Sequence, residues 1–369
     1  MGSNTPLTYW DYIRVEELVG LQGGAERNEA DLGNEEVMFI TVHQIFELWF
    51  KLILREMRTA RDLFDSKAVA NQKLSGAVRS LDRVITVLGR AVDHFLVMET
   101  LTTRDYLAFR DKLTSASGFQ SAQMREIEIV MGLDSSERLD AGPVGNWMDM
   151  LRNPDGSPSW SLRRVLGALD ERRTLKEAID RWLMRTPIDG VEHDDPRAAV
   201  KLEEFIETFL SAHSREVDAV LETALAREGG GAASEARKLR SEQEKASVRA
   251  FFRPGEDEGG MERARIRTAM LFIETYRELP LLAWPREVLD KLVEFEQVFI
   301  IFRQRHARMV ERVIGRRMGT GGSSGVDYLD DVARHRVFRD LWAIRTLQIR
   351  REAAPALTNP AYYGFAHED

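Results

Sequence analysis

The stretch "VLDKLVEFEQVFIIFRQRHARMVERVI", residues 288–314, decides the fold. Phe299, Phe302, His306, Met309, Val310 and Val313 recur at steps of three and four, the spacing of one face of an α-helix. A long amphipathic helix needs other apolar faces to pack against, and the chain supplies them. Between Glu35 and Met57, Phe39, Val42, His43, Phe46, Phe50 and Ile53 follow the same period. Between Leu74 and Leu96, Leu81, Val84, Leu88, Val92 and Phe95 do so too, and Lys201 to Leu225 and Glu262 to Leu279 are two further periodic segments. Strand-like alternation with hairpin signals is nearly absent, which predicts an all-α protein.

Glycine and proline mark the connections: Ala141 to Ser161, Thr186 to Pro196, and Arg227 to Gly260 with its "GGGAAS" and "PGEDEGG". The expected organisation is a single all-helical domain over 1–369. A small helical insertion occupies about 133–285, with a mobile segment near 227–260. Composition narrows the function. The 369 residues are 43% hydrophobic and 30% charged, with a net charge of −8 and no cysteine. An acidic chain is a poor partner for nucleic acid. Absence of cysteine removes thiolate nucleophiles, zinc–thiolate sites, iron–sulfur clusters and a thiolate-ligated haem. No uninterrupted apolar run is expected to span a bilayer, and "MGSNTPLTYW" lacks a secretory leader, so a cytoplasmic protein without membrane contact is expected.

Four features could carry chemistry. His43 and His306 each lie on an apolar helical face, either as packed core histidines or as polar groups facing a flat apolar cofactor between helices. Tyr106 and Arg110 are four apart and share a face. A half-buried guanidinium there requires an anion, either an internal carboxylate or a substrate acid group. "SASGFQS" (115–121) supplies small residues that let backbone approach a ligand. "GTGGSSG" (319–325) lacks the Gly-Lys-Ser/Thr ending of a P-loop, and it is either a linker or a loop that closes over a site, with Thr320 offering a hydroxyl.

Together these segments resemble the tryptophan 2,3-dioxygenase family, haem enzymes that open the indole ring of L-tryptophan. The resemblance rests on "LTYWDYIRVEELVGLQ" (7–22), "EEVMFITVHQIFELWFKLILREM" (35–57), "YLAFRDKLTSASGFQSAQMR" (106–125) and "RHARMVERVIGRRMGTGGSSGVDYL" (305–329). These stand in the family's order and cover about a third of the chain; the middle is not matched residue by residue. The resemblance implies a helical bundle enclosing haem b, with His306 as the iron ligand and Ser117 and Gly118 beside the haem edge. It implies that His43 meets the indole N–H, that Phe39 and Tyr106 line the pocket, and that Arg110 and Thr320 hold the substrate carboxylate and ammonium. Tyr9, Tyr12 and Ile13 match a segment that reaches a neighbouring subunit's site, which implies a homotetramer. The implied reaction joins O2 to L-tryptophan to give N-formylkynurenine, as in the kynurenine pathway. Two alternatives share the haem site: insertion of one oxygen into a substituted tryptophan, and a non-catalytic haem-binding helical protein.

Overall fold

The computed structural model describes residues 7–66, 71–113, 120–133, 148–227, 231–253, 255, 259–317 and 325–364. Among these residues the chain is all-α, with fourteen α-helices, short 3-10 turns and two isolated β-bridges. It divides into two compact units, each assembled from three separate stretches of sequence.

The first unit comprises residues 1–55, 84–171 and 297–335. It contains α1 (Tyr9–Tyr12), α2 (Val15–Val19), α5 (Thr103–Phe109), α6 (Ala122–Met131), α7 (Trp160–Leu169) and α13 (Val326–Val332). It also takes the first part of α3 (Asn34–Phe64) and the later parts of α4 (Asn71–Met98) and α12 (Ala283–Ile314). Side-chain caps start the short helices. Thr102, Ser121 and Ser159 each accept the backbone N–H three residues on, at 3.2, 3.2 and 3.1 Å. The core is aromatic. Phe46 and Phe50 of α3, Phe95 of α4 and Phe302 of α12 are buried, with ring centroids 4.9 to 6.2 Å apart.

The second unit comprises residues 56–83, 172–296 and 336–369. Its helices are α8 (Leu175–Met184), α9 (Ala198–Arg227), α10 (Ala232–Phe252), α11 (Gly260–Thr275) and α14 (Arg339–Thr346), with the remaining parts of α3, α4 and α12. Phe205, Phe272 and Tyr363 anchor its core. The Tyr363 hydroxyl accepts the Gly190 N–H at 2.9 Å and donates to the Pro187 carbonyl at 3.1 Å. Asp189 accepts the N–H groups of Thr358 and Asn359 at 2.9 and 3.2 Å, which ties down the chain's last described turn.

The segment near 227–260, expected as mobile, contains a 21-residue helix, α10. One expectation changes. By length and composition alone, α3 is long and apolar enough to cross a membrane, although no such run was expected. Its apolar residues straddle Glu47 and Lys51, and the averaged hydropathy outweighs those two charges.

Candidate active site

The candidate residues of the first unit gather on α3, α5 and α12. Phe39 and His43 are one turn apart on α3, with ring centroids 4.1 Å apart. Phe39 also packs against Tyr106 at 6.1 Å and, edge-on, against Phe109 at 5.4 Å. These rings make an aromatic wall beside the His43 imidazole. Arg110 follows directly as the first residue of the 3-10 turn Arg110–Leu113 and is half-buried. Burial pushes the Tyr106 phenol up, and the Arg110 charge opposes that rise, so the guanidinium acts on the same wall. Lys112 then reaches Glu36 of α3 at 2.8 Å and fixes the turn to the helix that carries Phe39 and His43.

His43 Nδ1 lies 2.7 Å from the Phe39 carbonyl oxygen. A carbonyl can only accept, so Nδ1 bears the proton, and in the neutral ring Nε2 keeps its lone pair. Burial holds the imidazole below its ordinary value, while the Phe39 carbonyl and the Glu47 carboxylate pull the other way. Burial dominates and the ring stays neutral at pH 7.

His306 stands on α12 with its ring stacked on Phe95, at 5.6 Å and an interplanar angle of 7°. It is half-buried and makes no hydrogen bond among the described residues. Its imidazole is pushed down to about 4, by burial first and then by the charges of His43 and Arg125. Both imidazoles are therefore neutral at pH 7.

Not every expected residue joins this group. Tyr9, Tyr12 and Ile13 are exposed, the two tyrosines at 75% and 77% of their surface, and take no part in it within one chain. Ser117, Gly118 and Thr320 lie outside the described residues.

The structure adds residues that the sequence reading did not single out. Glu47, one turn after His43, accepts from Ser121 Oγ at 2.6 Å and from Gln123 Nε2 at 2.7 Å, so it pins the start of α6 beside the SGFQS segment. Gln44 accepts from Gln22 at 2.6 Å and donates to the Leu21 carbonyl at 3.0 Å, which anchors the N-terminal segment next to His43. His94 sets its ring edge against Phe46 at 5.2 Å, and its Nε2 is buried without a hydrogen-bond partner among the described residues. The signal for Glu47 was the lone carboxylate inside an apolar run, since such a group needs a partner.

A family model described as tryptophan 2,3-dioxygenase matches residues 1–348. A tryptophan 2,3-dioxygenase of Sorangium cellulosum is 50% identical over 370 residues, spanning 98% of this chain and 88% of the relative. One of Ralstonia nicotianae, named tryptophan 2,3-dioxygenase 2, is 48% identical over 369 residues, spanning 98% and 99%. One of Alteromonas mediterranea is 31% identical over 371 residues, spanning 95% of each.

Proposed function

The chain belongs to the tryptophan 2,3-dioxygenase family, and from that premise we propose that it opens the indole ring of L-tryptophan with O2 at a haem held by His306. The donor set suits that group. No three His, Asp or Glu side chains converge at metal-ligand spacing among the described residues. His306, a neutral imidazole, would be the residue to hold haem iron. Phe95 and Phe302 hold the His306 ring against the buried aromatic core and so fix its orientation. When bound, haem supplies the iron at which O2 reacts, and both oxygen atoms enter the product, N-formylkynurenine, so no external reductant is consumed.

The remaining roles belong to the chain. Arg110 clamps the substrate carboxylate, a bidentate contact that suits its planar fork. The Thr320 hydroxyl meets the ammonium group. With carboxylate and ammonium fixed, the indole lies along Phe39 and Tyr106 and its C2–C3 bond is held in one orientation. The single observation that carries this reading is the 2.7 Å contact of His43 Nδ1 with the Phe39 carbonyl. It leaves Nε2 as an acceptor beside an aromatic wall, which is what an indole N–H requires. Ser117 and Gly118 border the haem edge.

We read the protein as a cytoplasmic homotetramer in which Tyr9, Tyr12 and Ile13 complete a neighbouring subunit's site. Their exposed apolar surface supports that reading, because large apolar side chains clustered in one segment call for a cover. The test is an absorption spectrum of the purified, reduced protein with and without L-tryptophan, followed by product mass in isotope-labelled O2. A tryptophan-dependent spectral change and a gain of two labelled atoms are expected. A gain of one labelled atom overturns the dioxygenase assignment, and absence of a haem spectrum overturns the role of His306.

A further inference from the structure

The segment that carries Arg110 is tied to α3 at two points, one on each side of that residue. Phe109, immediately before it, is buried and sets its ring edge-on against Phe39 at 5.4 Å. Lys112, two residues after it, donates from Nζ to the Glu36 carboxylate at 2.8 Å. The anchors are three residues apart on both partners, so the segment runs antiparallel to one turn of α3. The backbone changes character at the same place. Helix α5 ends at Phe109, and the four-residue 3-10 turn begins with Arg110. Such a turn winds more tightly than an α-helix and has poorer hydrogen-bond geometry, so it needs outside anchors to keep its side chains aimed.

Helix formation alone does not account for Glu36. It lies in the first turn of α3, where an acid complements the positive end of the helix. Glu35 supplies that complement from the solvent. The Glu36 side chain is only 8% exposed, and a carboxylate taken out of water is costly unless a partner is bonded to it. Lys112, 43% exposed, is that partner. The carboxylates of Glu26 and Asp31, from the chain ahead of α3, also act on the Lys112 charge. One lysine thus gathers α3, the residues leading into it and the turn that presents Arg110.

We propose that Lys112 and Glu36 are positioning residues for substrate recognition. Their bridge holds Arg110 where it meets the substrate carboxylate, and so sets the preference for an amino acid over an indole amine that lacks that group. A charge-assisted hydrogen bond depends on distance and angle, so a released turn weakens the clamp. The indole wall keeps its own contacts, since Phe39 and Phe109 pack without the bridge. The inference rests on the reading of Arg110 as the carboxylate clamp.

The test compares binding of L-tryptophan with that of tryptamine, which lacks only the carboxylate, by calorimetry on the haem-loaded protein and its variants. Lys112→Met and Glu36→Met should each weaken L-tryptophan about three- to fivefold, the reach of a half-exposed ion pair, and leave tryptamine unchanged. Lys112→Arg keeps the bridge and should keep the ratio of the two ligands. Glu36→Met removes negative charge, so an effect of charge alone would tighten L-tryptophan binding; weakening in both methionine variants marks the bridge. Equal weakening of the two ligands, no change in either, or tighter L-tryptophan binding by Glu36→Met overturns the proposal. If Lys112→Met does not fold, Glu36→Met decides on the same ratio. Arg110→Ala is the reference: if it leaves that ratio unchanged, it is the reading of Arg110 that fails.

Discussion

Removing the imidazole of His306 should flatten the acid sensitivity of the haem-free protein. In the folded state this ring is pushed down to about 4, against an ordinary value of 6.5. An unfolded chain lacks that environment and takes up the proton near 6.5. Above that pH both states are neutral at this position, and the group adds nothing to the pH dependence. As pH falls through 6.5 the unfolded state binds the proton first, and folded stability declines until the folded ring is also protonated near pH 4. At about 1.36 kcal/mol per pH unit, the whole gap is worth roughly 3.4 kcal/mol. About 2 kcal/mol should be gone by pH 4.5, after allowance for the ring's partial contact with water. Urea unfolding of haem-free wild type and His306→Gln, each at pH 7 and 4.5, measures it, because the carboxylates common to both proteins cancel. Wild type is expected to lose about 2 kcal/mol more than the variant over this interval. Equal losses would refute the argument that His306 is held neutral by its surroundings.

Other outcomes follow from the same geometry. His306→Ala should purify without a haem absorbance band, whereas His43→Ala should keep the band and lose part of its turnover. Arg110→Ala should raise KM roughly 10- to 150-fold, the equivalent of about 1.5–3 kcal/mol for a charge-assisted contact, with a smaller effect on kcat. Gly325 has φ +65°, and a Cβ there would lie 2.9 Å from the Arg317 carbonyl oxygen. Gly325→Ala should lower stability by about 1–3 kcal/mol in thermal unfolding, because strained backbone and a close oxygen act together.

Much of the helical framework was legible because its buried positions are large and apolar. Asn34–Phe64 and Ala283–Ile314 contain the stripes read between Glu35 and Met57 and between Val288 and Ile314. Helix α10 was not legible, and its packing explains why. Its buried residues are Ser234, Ser241, Val248 and Phe252, so a seven-residue rhythm is present but two of its positions are serines. A period counted on hydrophobic residues misses a face made of small polar ones. The same contrast holds at the site. Phe39 and His43, or Tyr106 and Arg110, are neighbours through helical spacing and can be paired on paper. Glu47 with Ser121 and Arg303 with Glu128 are 74 and 175 residues apart, so only the folded chain brings them together.

The interleaving of the two units along the chain also has a consequence for biosynthesis. The first unit needs residues 297–335 and the second needs 336–369, so each closes with sequence from the last quarter of the polypeptide. Helices α3 and α4 are translated early, yet their aromatic partner Phe302 arrives some 200 residues after Phe95. A nascent chain thus displays Phe46, Phe50 and Phe95 for most of its translation, and neither unit can be finished ahead of the other as an N-terminal domain would be. A premature stop before residue 297 would yield neither half of the protein but an uncovered apolar face, a substrate for chaperones and proteases.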